Sequence, residues 1–192
     1  EGEAFEERKA YWESIRSDPD AEYDDVIEID GSAIEPSVTW GITPGQVVGV
    51  TEPVPTPEEL PEDERETAER AYEHMDVEPG KPMTGYEIDV AFLGSCTNAR
   101  LADLRQAAEL LEGREVHPEV RAMVVPGSQR VKAAAEEEGL HEVFQAAGFD
   151  WREPGCSMCL GMNDDQLEGE EVSASSSNRN FIGRQGSKDG RT

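Results

Sequence analysis

Residues 86–101 read Tyr86-Glu87-Ile88-Asp89-Val90-Ala91-Phe92-Leu93-Gly94-Ser95-Cys96-Thr97-Asn98-Ala99-Arg100-Leu101, and this stretch decides the fold. Ile88, Val90, Ala91, Phe92 and Leu93 form a nearly continuous apolar run, the pattern of a strand buried on both faces. It stops at Gly94-Ser95-Cys96-Thr97-Asn98, a turn of small and polar residues. Leu101, Leu104, Ala108 and Leu111 then recur at helical spacing until Gly113 ends them. A second buried strand follows at Val120, Met123, Val124 and Val125. After it come the turn Pro126-Gly127-Ser128, a helix through Gly139, a shorter helix around 140–147, and a strand near Phe149-Asp150-Trp151. Strands alternating with helices predict an α/β domain over residues 84–192, with a mainly parallel sheet and flanking helices.

Working back toward the N-terminus, the pattern weakens. Residues 1–17 read as a helix with an imperfect stripe of Phe5, Tyr11, Trp12 and Ile15, broken by Asp18 and Pro19. Val26, Ile27 and Ile29 give a short β-like run. Val38-Thr39-Trp40 leads through Gly41 and the Pro44-Gly45 turn to Val47-Val48-Gly49-Val50. Residues 1–50 thus hold only a helix and short β-like runs. Between Glu52 and Glu78 stand 11 acids and 2 bases, with prolines at 53, 55, 57 and 61. Residues 51–83 read as an acidic linker and a charged helix, roughly 62–75, carrying no chemistry.

The 192 residues include 17 Lys+Arg and 43 Asp+Glu, a net charge of −26, and 36% are hydrophobic. Such a balance excludes a nucleic-acid backbone as partner, because that requires a basic face. No run approaches the roughly 20 apolar residues of a membrane span. The first residues lack the basic and apolar regions of a signal peptide, so a cytoplasmic protein is expected. Only four of the basic residues are lysines. Self-repulsion of this size is tolerated where concentrated salt screens it, which points to a halophilic cytosol. Disorder would also fit the composition, but the periodicity of residues 84–192 opposes it.

Three cysteines are an odd number for a disulfide framework. Cys96 follows a strand and precedes a helix, at the carboxyl edge of the sheet where α/β proteins bind ligands. The positive end of the following helix favours a thiolate there. Sixty residues on, Pro154-Gly155-Cys156-Ser157-Met158-Cys159 places two sulfurs close enough to share one inorganic centre. A lone cysteine is more often packing, and C-x-x-C without a thioredoxin-like setting is weak support for a redox dithiol. A structural zinc site needs a fourth ligand from His74, His117 or His141; all three lie in charged, surface-like contexts. Three thiolates suit an iron–sulfur cluster with one iron free of protein sulfur. Downstream, Ser175-Ser176-Ser177-Asn178-Arg179-Asn180-Phe181-Ile182-Gly183-Arg184 sets two arginines five apart in a Ser/Asn/Gly-rich loop. Each can present a planar fork to a carboxylate, although such a loop also reads as an ordinary solvated turn.

Gly94-Ser95-Cys96-Thr97-Asn98, Pro126-Gly127-Ser128, the Cys156–Cys159 motif and Ser177-Asn178-Arg179-Asn180-Phe181-x-Gly183-Arg184 together resemble the aconitase superfamily, in that order and spacing. Val38-Thr39-Trp40-Gly41, Pro44-Gly45-Gln46 and Gly183-Arg184-Gln185-Gly186 look most like its isopropylmalate dehydratase large-subunit branch. The resemblance implies an aconitase-type third domain, preceded over residues 1–50 by the end of an upstream α/β domain, and a [4Fe-4S] cluster held by Cys96, Cys156 and Cys159. It further implies a hydro-lyase that removes and re-adds water to interconvert 2- and 3-isopropylmalate in leucine biosynthesis. The ligand class would be a small hydroxy-dicarboxylate, met by Arg179, Arg184 and Asn178. A separate small subunit would carry the swivelling domain and the serine base, so no catalytic base is assigned within this chain. Aconitase or homoaconitase, acting on citrate or homocitrate, is the alternative. A non-catalytic metal-binding or RNA-binding domain is another, the latter opposed by the charge. The chain starts at Glu1 and stops short of the family pattern, as an internal piece of a longer subunit would.

Overall fold

The computed structural model describes residues 2–161 and 163–192. Packing divides the chain into two compact units, Glu1–Ile34 and Glu35–Thr192.

In the first unit, helix α1 spans Glu3–Ser14, and none of its described residues is buried. Phe5, Tyr11, Trp12 and Ile15 are all exposed, so the imperfect stripe covers no core. The strand expected at Val26, Ile27 and Ile29 does not form; these side chains are 67–80% exposed. A strand needs a partner for its backbone ladder. Among the described residues this run has none.

The second unit begins with an antiparallel hairpin of β1 (Ser37–Thr39) and β2 (Val47–Gly49), in register Val38 to Val48. Helix α2 (Arg65–Met75) follows. Trp40, Ile42 and Val54 pack with Ala68 and Ala71 of α2, and the Trp40 ring stacks on Tyr72 at 5.2 Å. The acidic segment is thus only half solvated: its Ala68, Ala71 and Met75, spaced three and four apart, form a buried stripe. The same cluster spans both sides of residue 50. Packing places the division at 34/35, because Trp40 and Val54 share one core.

The remaining elements are β3 (Val90–Gly94), α3 (Leu101–Leu111), β4 (Arg121–Val125), α4 (Gln129–Glu137), α5 (Leu140–Ala146), β5 (Asp150–Trp151) and β6 (Ser173–Ser175). They build a four-stranded sheet of order β5-β4-β3-β6, with every pairing parallel. The α/β expectation holds, and an edge strand of Ser173-Ala174-Ser175 is added to it. On one face, Val124 packs with Leu104, Ala108, Ala135 and Phe144 from the three helices. On the other, Val90, Phe92, Met123 and Val125 meet Met158 and Leu167. Helices therefore cover one face of the sheet, and the second face is closed by the segment that carries Cys156 and Cys159. Arg100 N–H donates to Asp103 Oδ2 at 2.9 Å at the start of α3, and Ser128 Oγ accepts from Val131 N–H at 3.2 Å at the start of α4. Gly94 ends β3 where a Cβ would lie 2.8 Å from the Val125 carbonyl oxygen, so only glycine fits there. Among the described residues no helix is long and apolar enough to cross a membrane.

Candidate metal centre

The turn after β3 carries Ser95 and Cys96. It is tied to the loop after β6, which carries the arginines. Ser176 N–H donates to Phe92 O at 3.0 Å, extending the β3–β6 ladder past its last pair. The Ser176 hydroxyl then accepts from Gly94 N–H at 3.0 Å and donates to Gly94 O at 2.9 Å. The Asn98 amide donates to Ser176 O. The carboxyl ends of β3 and β6 thus deliver Cys96 and residues 177–184 to one edge of the sheet.

The C-x-x-C segment forms a single 3₁₀ turn, Ser157–Cys159, closed by Cys159 N–H donating to Cys156 O at 3.0 Å. Met158 is fully buried against the sheet and anchors it, with Cys159 packed beside that cluster. Gly161 follows at φ +55°; a Cβ there would stand 2.7 Å from the backbone nitrogen of Gly186. The close approach holds the cysteine turn against the end of the arginine loop.

Cys159 is where these segments meet. Its Sγ lies 3.3 Å from Ser177 Oγ and 3.8 Å from Arg184 Nη2. Burial pushes the thiol up. Hydrogen bonds from Ser177, Arg184 and Ser95, with the guanidinium charge, outweigh that and bring it below the ordinary cysteine value. None of the three cysteines is in a disulfide; Cys96 and Cys156 are exposed and Cys159 half-buried. Among the described residues no three His, Cys, Asp or Glu side chains are gathered tightly enough to form a site for one metal ion. The histidines required for a zinc site do not join the cysteines: His117 neighbours Glu119, and His141 faces the Trp151 ring at 6.2 Å.

Arg184 lies over the Phe181 ring at 5.3 Å, and its buried Nε has no partner among the described residues. Arg179 is exposed and donates to Asn178 Oδ1 at 3.3 Å, so the structure brings Arg184 to the sulfur and leaves Arg179 and Asn178 on the loop surface. Asn180 between them is only 6% exposed and donates to Gly41 O at 2.6 Å and Thr43 O at 3.1 Å. These bonds fasten the loop to the turn of the β1–β2 hairpin. Sequence reasoning had given Asn180, Ser95 and Ser176 no separate part. Their position inside the motifs is the only signal, because Ser176 and Asn180 act through backbone groups distant in sequence and Ser95 through the Cys159 sulfur.

All of residues 1–192 match the pattern of the Aconitase family (aconitate hydratase). The chain is 76% identical over 190 residues to a protein of Natronomonas pharaonis named 3-isopropylmalate dehydratase large subunit, covering 99% of this chain and 40% of that protein. It is 75% identical over 190 residues to the protein of the same name from Haloferax volcanii, with the same coverage. With that of Salinibacter ruber it shares 66% over 193 residues, covering 100% of this chain and 41% of the relative. The chain thus spans about two fifths of the length of the curated relatives it matches. With its full-length match and its ordered motifs converging on one edge of a parallel sheet, the chain belongs to the aconitase family.

Proposed function

We propose that the protein containing this chain is an iron–sulfur hydro-lyase that interconverts 2-isopropylmalate and 3-isopropylmalate, a reading supported by its similarity to proteins named 3-isopropylmalate dehydratase large subunit. The observation that carries the reading is the meeting at Cys159 of the C-x-x-C turn with Ser177 and Arg184. Cys96, Cys156 and Cys159 would hold a [4Fe-4S] cluster. The donor set fits: three unpaired thiols, one of them biased toward thiolate by neutral and cationic donors. When bound, such a cluster supplies a Lewis-acidic iron without protein sulfur for departure of the hydroxyl.

The remaining chemistry belongs to the chain. Arg184, backed by Phe181, presents a guanidinium beside Cys159 and attracts a carboxylate to that edge. Arg179 supplies a second, exposed fork from the loop surface, with Asn178 as its hydrogen-bonding neighbour. Against a net charge of −26 these two arginines give an anionic hydroxy-dicarboxylate a local point of attraction. Ser128 and Ser157 are engaged with Val131 N–H and the Asp165 carboxylate, so neither is offered as the base. The base comes from elsewhere in the enzyme, which we take to include a separate small subunit with the swivelling domain. A cytoplasmic, high-salt setting fits the biosynthetic role and the acidic composition.

The test is anaerobic reconstitution of the full-length large subunit with iron and sulfide, followed by absorbance, EPR and assay with its small subunit. Cluster formation surviving Cys156→Ser and Cys159→Ser together would overturn the ligand assignment. Faster turnover of citrate or homocitrate than of 3-isopropylmalate would overturn the substrate.

A further inference from the structure

Ser157, between the two cysteines of the C-x-x-C turn, has φ +45°, a left-handed conformation that a non-glycine residue adopts only when its surroundings hold it there. It is 8% exposed, and its hydroxyl donates to Asp165 Oδ2 at 2.7 Å. Asp165 is itself 9% exposed and has both oxygens engaged. Oδ2 also accepts from Asn163 Nδ2 at 3.2 Å, and Oδ1 faces Arg152 Nη2 at 3.0 Å. Arg152 is fixed in turn by its backbone N–H, which donates to Val124 O at 3.0 Å just past the β4–β5 pairing. A continuous chain of contacts therefore runs from the sheet through Arg152 and Asp165 to the residue between Cys156 and Cys159. A buried carboxylate of this kind is stable only when paired, and the pairing here ends on a strained backbone.

We propose that Asp165, oriented by Arg152, is a positioning residue for the two C-x-x-C thiols: it holds Ser157 in the left-handed conformation that sets the Cys156–Cys159 spacing. The proposal rests on the reading that these cysteines hold the cluster. Metal-site residues that orient ligands without touching the metal commonly cost 10–100-fold in affinity when removed. Met158 pins the same turn from the apolar side, so loss of Asp165 loosens the turn without unfolding the sheet.

The experiment uses the full-length large subunit and the variants Asp165→Ala, Ser157→Ala and Ser157→Gly/Asp165→Ala. In the apoprotein, alkylation of each thiol by iodoacetamide is followed by mass spectrometry. In parallel, iron and sulfide incorporation is followed by absorbance and EPR. Asp165→Ala is expected to speed Cys156 and Cys159 alkylation several-fold relative to Cys96 and to weaken cluster incorporation by on the order of 10-fold. Glycine takes a positive φ without strain. Ser157→Gly in the Asp165→Ala background should therefore recover most of the loss, which a merely stabilising carboxylate would not allow. Ser157→Ala, which removes only the hydroxyl, tests the same link should Asp165→Ala not fold. Wild-type alkylation ratios and EPR in folded Asp165→Ala, or in Ser157→Ala where Asp165→Ala does not fold, overturn the proposal. A cluster that persists in Cys156→Ser/Cys159→Ser would instead overturn the ligand reading beneath it.

Discussion

Arg184 Nη2 stands 3.8 Å from the sulfur of Cys159, twenty-five residues away in sequence and on a different loop. The relationship joins the expected metal-binding turn to the expected substrate-binding loop. Together with the hydrogen bond from the Ser177 hydroxyl, it holds the half-buried thiol below the ordinary cysteine value although burial alone would drive it up.

The first prediction is a pH effect in the apoprotein. Replacing Arg184 by Gln removes a hydrogen bond and a positive charge from Cys159, so the midpoint of its alkylation against pH should rise toward the ordinary cysteine value. Because the folded value is depressed, the ionised thiol contributes stability that is fully present above the unfolded-state cysteine range. That contribution is lost as pH falls through the folded value. The stability difference between wild type and Arg184→Gln should accordingly shrink on acidification across that window. An alkylation midpoint unmoved by the substitution would show that Arg184 does not act on the sulfur.

Asn180 offers a second prediction. Its amide satisfies two backbone carbonyls at residues 41 and 43. Asn180→Ala leaves buried acceptors without a partner and should cost about 1–3 kcal/mol in denaturant unfolding. Asn180→Asp should cost more at neutral pH, because a carboxylate then faces the same carbonyl oxygens, and should recover on acidification as it is protonated.

Gly94 carries a third. A methyl group at this position meets the Val125 oxygen at 2.8 Å and the Val125 Cβ at 2.9 Å, and neither can move without parting β3 from β4. Gly94→Ala is expected to lower stability by about 1–3 kcal/mol. Faster hydrogen exchange at the Gly94 and Val125 end of the ladder would localise the effect.

The fourth concerns salt. Arg105 and Glu138 form a two-point ion pair that links α3 to the end of α4, with N–O distances of 2.7 and 2.5 Å on the protein surface. In a double-mutant cycle of the two residues the coupling should be measurable in dilute buffer and vanish in molar salt, where exposed charges are screened. The global repulsion of −26 charges is screened by the same salt, so the wild-type melting temperature should rise as this bridge weakens.

The parts of the fold visible in the sequence were those whose chemistry is repeated along the chain. β3 and β4 are apolar runs, and α3 carries its stripe at helical spacing, so each could be read locally. β6 was invisible because Ser173, Ala174 and Ser175 owe their strand to pairing with β3 and have no apolar pattern. Val26, Ile27 and Ile29 failed in the opposite way, having β-forming side chains and no partner strand. At the sheet edge, spacing and residue type draw attention to the cysteines and to Arg184, which the structure places beside Cys159. Asp165 lay unremarked among acids, since only its burial and its contact with Ser157 distinguish it from the solvated ones. Sequence does not distinguish Arg179 from Arg184, and the structure separates them: Arg184 lies beside a sulfur, and Arg179 lies on the surface.

The bond from Asn180 to Gly41 closes a span of 139 residues. A transplant of the sheet with its three cysteines onto another scaffold would therefore carry a slack arginine loop unless the hairpin turn at 41–43 travelled with it. The smallest portable version of this sheet edge begins at the hairpin, and the hairpin turn and the loop at 177–184 move as one structural unit.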